Sequence, residues 1–147
     1  MFRLKSLLVA LIFAFTAAHA NAYTLGYVDY VKIEQNYGFA KNAYNQVDDM
    51  ALEIQKYMVD KEKEFKKLTS SLAKKEFEDK VQKEFKAKEE AYAKFKLKKQ
   101  KEVYDNILTA IKAVAVENKI DSIVDYRVIY TGGTDLTDKV IKKLNSK

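Results

Sequence analysis

The stretch Phe65–Phe77, "FKKLTSSLAKKEF", sets two lysine pairs, Lys66-Lys67 and Lys74-Lys75, around a Thr-Ser-Ser centre and brackets them with two phenylalanines. The chemistry open to such residues is attraction rather than bond breaking. Ammonium groups on flexible stems attract carboxylates, phosphates and anionic headgroups. His and Cys, which shuttle protons and ligate transition metals at neutral pH, are nearly missing. The chain has no Cys and one His, and that residue, His19, lies in an apolar leader. The residues after Ala22 contain neither type, which removes zinc sites with N or S ligands, Ser-His and Cys-His catalysis and haem ligation by His. Carboxylate chemistry stays open, but the expectation is a protein that is not an enzyme and needs no metal or cofactor.

The leader "MFRLKSLLVALIFAFTAAHANA" has Arg3 and Lys5, an apolar run Leu7–Ala18, and then small residues. This is the layout of a signal peptide, because a membrane span needs about 20 apolar residues and this run has 12. Cleavage is expected after Ala22, with Ala20 as the second choice. About 125 residues remain, one domain's worth, with 25 basic and 21 acidic residues and a net charge of +4.

The lysine pairs need elements that position them. There is no Pro, and from Phe39 to Thr131 there is no Gly. Lys, Glu, Ala and Leu dominate that span, which predicts helix throughout. Ala40, Ala43, Val47, Met50, Ile54 and Tyr57 step by three and four as a heptad seam. The seam slips near Met58 and continues as Phe65, Leu68 and Leu72. Beyond the centre come Phe77, Val81 and Phe85, then Tyr92 and Phe95 after Lys88 in a seam position, then Ile107, Ala110 and Val114. The middle stripe is narrower than that of a core helix. The two ends differ from the span. "YTLGYVDYVKI" at Tyr23–Ile33 predicts a strand near Leu25–Tyr30, and "IDSIVDYRVIYT" predicts short strands at Ser122–Asp125 and Arg127–Tyr130. "GGTDLTDKVIKKLN" predicts a short helix capped by Thr134 or Asp135. A first strand whose partners lie after the helical span requires the helix to turn back. The expected turn is Thr69-Ser70-Ser71, whose side chains compete with helical backbone. The fold class is mainly α: a long antiparallel helical hairpin on a small β base. The base takes residues 23–34 and 118–147, and the arm 35–117.

Charge is uneven. Lys56–Glu102 holds 16 Lys and 10 acidic residues, net +6, and the remainder after the leader is net −2. Pairs four residues apart such as Glu62–Lys66 and Glu84–Lys88 explain alternation, but not the excess, which includes "KLKKQK" at Lys96–Lys101. An arm two helices thick also leaves some large side chains exposed, and exposed apolar patches mark interaction sites.

The whole chain after the leader resembles the Skp/OmpH family of periplasmic chaperones. The tail Asp135-Leu136-Thr137-Asp138 with Val140, Ile141, Leu144 and Asn145 carries the resemblance most specifically. "GYVDYVKI" at Gly26–Ile33 and "KIDSIVD" at Lys119–Asp125 are similar to the family's strands. The resemblance implies a periplasmic homotrimer shaped like a jellyfish, with the hairpins as tentacles. It implies an ATP-independent holdase that keeps unfolded outer-membrane β-barrel proteins from aggregating before insertion. Anionic lipid or lipopolysaccharide surfaces are a second class of partner, and nucleic acid is not a physiological one. The client- or membrane-binding residues on the arm are expected to be Phe65, Lys66, Lys67, Lys74, Lys75, Phe77, Phe85, Tyr92, Phe95, Lys96, Lys98 and Lys99. Tyr27, Val28, Ile123, Val124, Val128 and Ile129 are expected at the base and its oligomer interface. The alternative is a structural coiled-coil protein of the cell envelope. It calls for a complete seam, and Lys88 and the gap at Lys61–Glu64 oppose it.

Overall fold

The structure, a computed structural model, describes residues 23–146. The leader and its two cleavage sites lie outside the described residues. Seven main elements follow in order: β1 (Leu25–Val28), α1 (Tyr30–Asn36), α2 (Gly38–Lys66), α3 (Ser71–Glu117), β2 (Ser122–Asp125), β3 (Thr134–Asp135) and α4 (Thr137–Asn145). The chain is mainly helical, with two long helices and a sheet of three short strands. Among the described residues no helix is long and apolar enough to cross a membrane.

The sheet has the order β2-β1-β3, and both pairings are parallel. Tyr27 stands opposite Val124 on one side and Asp135 on the other. Parallel neighbours need a crossover of a dozen residues or more, and here the crossover between β1 and β2 is the entire hairpin. Parallel pairing also explains unequal arms. The return helix α3 has 47 residues against 29 in α2. The 18 extra residues span about 27 Å at 1.5 Å per residue, enough to carry the chain across the base so that β2 runs alongside β1.

The core lies where α1, α4, the first turns of α2 and the last turns of α3 meet the sheet. Val28, Ile33, Tyr37, Ala40, Ala43, Val103, Ile107, Ala110, Val114, Leu136 and Val140 form one buried cluster. Side-chain hydrogen bonds pin the ends of the elements. Asp29 caps α1 by accepting from the Lys32 amide at 2.9 Å, and its own amide donates to Thr137 Oγ1 at 2.9 Å. The break between α1 and α2 is clamped by Asn145. Its Oδ1 accepts from the Gly38 amide at 3.0 Å, and its Nδ2 donates to the Asn36 carbonyl at 2.8 Å. Asp121 accepts from the Thr24 amide and hydroxyl at 2.7 and 2.8 Å, and these bonds hold its carboxyl below the usual carboxylate range.

Three details differ from the sequence reading. The first strand ends at Val28, because Asp29 starts a helix there. The strand expected at Arg127–Tyr130 is instead a 3-10 turn at Tyr126–Val128. Asp125 accepts from the Arg127 amide and from its guanidinium at 3.0 and 2.7 Å, which turns the chain before it can extend. The third strand is Thr134–Asp135, so these residues are not the helix cap; α4 begins at Thr137, whose amide donates to Asp135 Oδ1 at 2.9 Å.

The central strand has no room to spare. A Cβ at Gly26 would stand 3.0 Å from Ile120 Cγ2, 3.0 Å from Leu136 Cδ1 and 3.4 Å from the Thr134 carbonyl oxygen. Gly26→Val is therefore expected to destabilise the base by about 1–3 kcal/mol through overpacking. Leu136→Ala, which empties a fully buried site, should cost about 2–5 kcal/mol. Urea unfolding followed by circular dichroism measures both, and a midpoint unchanged in either variant contradicts this packing.

Candidate functional site

The arm is built so that little of it is buried. α2 and α3 face each other along their whole common length, yet from Asp48 to Glu102 no residue is fully buried. The buried part of the seam ends with Val47 on one helix and begins with Val103 on the other. Between them the seam residues Met50, Ile54, Tyr57, Phe65, Phe77, Val81, Phe85, Tyr92 and Phe95 are all half-buried. Leu72, expected in the seam, is 67% exposed. The reversal falls earlier than a turn through Ser71 would put it: α2 ends at Lys66 and Ser71 already belongs to α3. Ser70 Oγ accepts from the Ala73 amide at 3.5 Å as the N-cap, leaving Leu72 on the outer face of the first turn.

Cations lie over four rings of this thin seam, Tyr57, Phe65, Phe77 and Phe95. The Phe65 and Phe77 centroids are 6.2 Å apart, and Lys74 Nζ lies 5.6 Å from the Phe65 ring. Farther down, Lys99 Nζ lies 5.3 Å from the Phe95 ring and 3.7 Å from Glu102. Lys66 bridges to Glu62 at 2.6 Å, which keeps the Glu62 carboxyl below its usual range. Lys67 and Lys75 are exposed at the tip, and Lys96 and Lys98 are exposed along α3. The residues singled out on the arm thus fall into two groups. Phe65, Lys66, Lys67, Lys74, Lys75 and Phe77 gather at the tip. Phe85, Tyr92, Phe95, Lys96, Lys98 and Lys99 lie along α3 towards the base.

One cluster was not foreseen. Lys61 stands four residues from both Tyr57 and Phe65, in the gap of the heptad seam, and its side chain is only 24% exposed. Its Nζ lies 5.6 Å from the Tyr57 ring, 5.8 Å from the Phe77 ring and 2.8 Å from Glu64. Lys88 Nζ comes 4.9 Å from the same Tyr57 ring, and Tyr57 donates its hydroxyl to Glu84 at 2.6 Å. The gap at Lys61–Glu64 and the lysine at Lys88 are therefore not empty seam positions. They supply charge to one aromatic ring that joins the helices. The signal for it was Lys61 at a seam spacing, which periodicity alone reads as an interruption. Partial burial and the bond to Glu84 push the Tyr57 hydroxyl up to about 12. The Tyr57 hydrogen bond holds Glu84 below its usual range.

At the base, Val28 is buried, while Tyr27, Ile123, Val124 and Ile129 are half-buried. Val128 is 64% exposed, and Tyr126 and Tyr130 are exposed beside it. Tyrosines tie base to arm: Tyr44 donates to Glu34 at 2.5 Å, Asn106 donates to the Tyr37 hydroxyl at 3.3 Å, and Tyr30 and Tyr104 lie 6.3 Å apart. Among the described residues no cluster of His, Cys, Asp and Glu is arranged to hold a metal ion.

A family model described as "Outer membrane protein (OmpH-like)" matches residues 24–144. No curated protein matches the chain.

The Tyr57 cluster makes the arm sensitive to alkali. A hydroxyl raised above the ordinary value of 10 lends stability that is complete below pH 10 and lost as pH rises through about 12, because the phenolate would then face the Glu84 carboxylate. Ultraviolet difference titration at high pH should show one tyrosine leaving the late-titrating group in Tyr57→Phe. Glu84→Gln should lower the Tyr57 value without returning it to 10, since burial is the larger cause. A Tyr57 that titrates with the exposed tyrosines refutes the contact.

Proposed function

The chain belongs to the OmpH-like family, and from that membership we propose a periplasmic chaperone of outer-membrane proteins that works as an ATP-independent holdase. The observation that carries the reading is the arm: a long run without a fully buried residue, with lysines over the half-buried rings of Tyr57, Phe65, Phe77 and Phe95 and a net charge of +6 between Lys56 and Glu102. Such a surface offers many weak apolar contacts and a positive field, and no single deep pocket. An unfolded barrel strand exposes alternating apolar residues that aggregate when left alone. Contacts that are individually weak shield these residues and still let the client leave. The coiled-coil alternative requires a seam that closes on itself, and this seam relies on Lys61 and Lys88 where a closed one would have apolar side chains.

The proposal includes a homotrimer joined through the base. A sheet of three strands, one of them two residues long, is marginal when one chain must stabilise it alone. Val128, Tyr126 and Tyr130 offer apolar and aromatic surface beside it. Tyr27, Val28, Ile123, Val124, Val128 and Ile129 would then be shared between the body of each subunit and its interfaces. Sedimentation equilibrium is expected to give a trimer, and Val124→Asp to dissociate or unfold it by burying an uncompensated charge. A monomeric wild type defeats the assembly, and a trimeric Val124→Asp variant defeats this placement of the interface.

The lysines at the tip, Lys66, Lys67, Lys74 and Lys75, would steer acidic clients or anionic membrane surfaces, lipopolysaccharide among them, towards the mouth between the arms. Lys96, Lys98 and Lys99 would extend that field along α3, with Phe85, Tyr92 and Phe95 supplying contact. Each local ion pair contributes only about 0–1 kcal/mol, so replacing the four tip lysines by Glu should leave helicity nearly unchanged. The purified protein is expected to suppress aggregation of a denatured β-barrel protein without ATP. The four-Glu variant should capture an acidic client more slowly at low salt. The difference should fade as ionic strength rises, because screening acts over about 8 Å in physiological salt. No suppression by the wild type sinks the holdase reading, and unchanged capture at every salt concentration reduces the tip lysines to a solvated surface.

A further inference from the structure

Between the Tyr57 cluster and the tip, the two helices leave a groove of about 230 Å³ on one side of the arm. Met58, Phe65, Phe77 and Val81 give it apolar walls, and Glu62 and Glu78 line it from opposite helices. Its origin is in the sequence spacing. On α2 the seam steps from Ile54 through Tyr57, Lys61 and Phe65 to Leu68 by three, four, four and three. On α3 it steps from Phe77 through Val81 to Phe85 by four and four. A run of fours departs from the heptad, and the groove opens at this level on the flank of the Phe65–Phe77 contact. Lys61 also lines the groove, but its ammonium is engaged by Glu64 at 2.8 Å and by the Tyr57 and Phe77 rings. Glu62 is bonded to Lys66. Glu78 makes no ion pair among the described residues. On an arm of net positive charge, this is a place where an apolar recess carries a carboxylate that no cation satisfies.

We propose that the groove takes one large apolar side chain of an extended polypeptide that carries Lys or Arg beside it. The apolar side chain would enter between Met58, Phe65, Phe77 and Val81, and the neighbouring cation would meet Glu78 and share Glu62 with Lys66. That the polypeptide is an unfolded client rests on the holdase reading; the preference for a cation beside the apolar residue does not. The arm's field repels basic segments, and the groove gives them a foothold that the field denies them elsewhere.

The chain has no Trp, so indole emission reports a bound ligand without background. The probes are two peptides, acetyl-Lys-Trp-Lys-amide and acetyl-Glu-Trp-Glu-amide, titrated with the purified protein at low salt. The lysine peptide is expected to show a saturable blue shift and to bind at least about threefold more tightly than the glutamate peptide, the scale of exposed charge pairs. Glu62→Lys/Glu78→Lys should reverse that order. Met58→Gln, at a residue already 38% exposed, should weaken both peptides and leave their ratio unchanged. Equal binding, a preference for the glutamate peptide, or no saturable shift overturns the proposal. So does a shift that vanishes as protein concentration rises, which would mean that a second copy of the chain covers the groove. Failure to suppress aggregation of a denatured barrel protein, with the peptide preference intact, removes the holdase reading and leaves the groove standing.

Discussion

The parallel pairing of β1 with two strands that come more than 90 residues later is the constraint on which the rest of the structure depends. Three short strands cannot leave their backbone groups unpaired in a core, and β1 has no partner within reach of a tight turn. The pairing Leu25–Val28 with Ser122–Asp125 therefore obliges everything between to leave the base and return. Because the strands run the same way, the return must also cross the base, and α3 is longer than α2 for that reason. The hairpin is thus not an appendage to a finished domain but the crossover connection of its sheet. Thr24 bonded to Asp121, Asp29 to Thr137 and Gly38 to Asn145 join segments about a hundred residues apart. The base is consequently tied by contacts between segments about a hundred residues apart, whereas contacts across the arm shorten in sequence towards the tip, from Tyr57 with Glu84 to Phe65 with Phe77.

That division sets where stability resides. The base buries Ile33, Ile107, Leu136, Val103, Val114 and Val140 completely, and each such side chain contributes about 1.5–3 kcal/mol of transfer free energy. The arm replaces burial of this kind with half-buried rings and cations over them, worth about 0.5–1 kcal/mol apiece at exposed sites. An element held by contacts of that size opens locally far more readily than the core. The Tyr57 cluster divides the arm unevenly. Below it the seam thickens towards Val47 and Val103, and above it the helices are joined by Phe65 on Phe77, by Lys74 over Phe65 and by the short stretch to the Ser70 cap.

The helical span, the return of the chain and the site of the strands flanking it were legible because they rest on strong local signals. The lack of Pro, the long interval without Gly and the three-and-four stepping of Ala40 through Tyr57 leave one reading. The strand at Ser122–Asp125 was legible for its β-branched centre, but its neighbour was not. Arg127–Tyr130 has the composition of a strand, and the Asp125 carboxylate, which accepts from Arg127 three times, overrides that propensity. The opposite error occurred at Thr134–Asp135, where cap-forming side chains sit in the sheet because Gly26 leaves space for their backbone to approach. On the arm, the aromatics and the tip lysines were legible by type and spacing. The Tyr57 cluster was not, because hydrophobic periodicity scores a lysine as a break and has no measure for a lysine stem lying along a ring.

The same limit explains why net charge is a poor guide to what the arm can hold. An excess of six positive charges describes the far field, which steers approach. At contact distance the field is resolved into individual groups, and many of the lysines are already committed. Lys61 is taken by Glu64 and two rings, Lys66 by Glu62, Lys99 by Glu102 and Phe95, and Lys101 by Asp105. What a partner meets on the surface is therefore a mixture of engaged lysines, bare ring edges and a few carboxylates left over, Glu78 among them. In the proposed reading, long-range attraction and short-range selection fall to different residues on this arm. A change in the tip lysines would alter how fast a partner arrives, and a change in the groove would alter which of its segments stays.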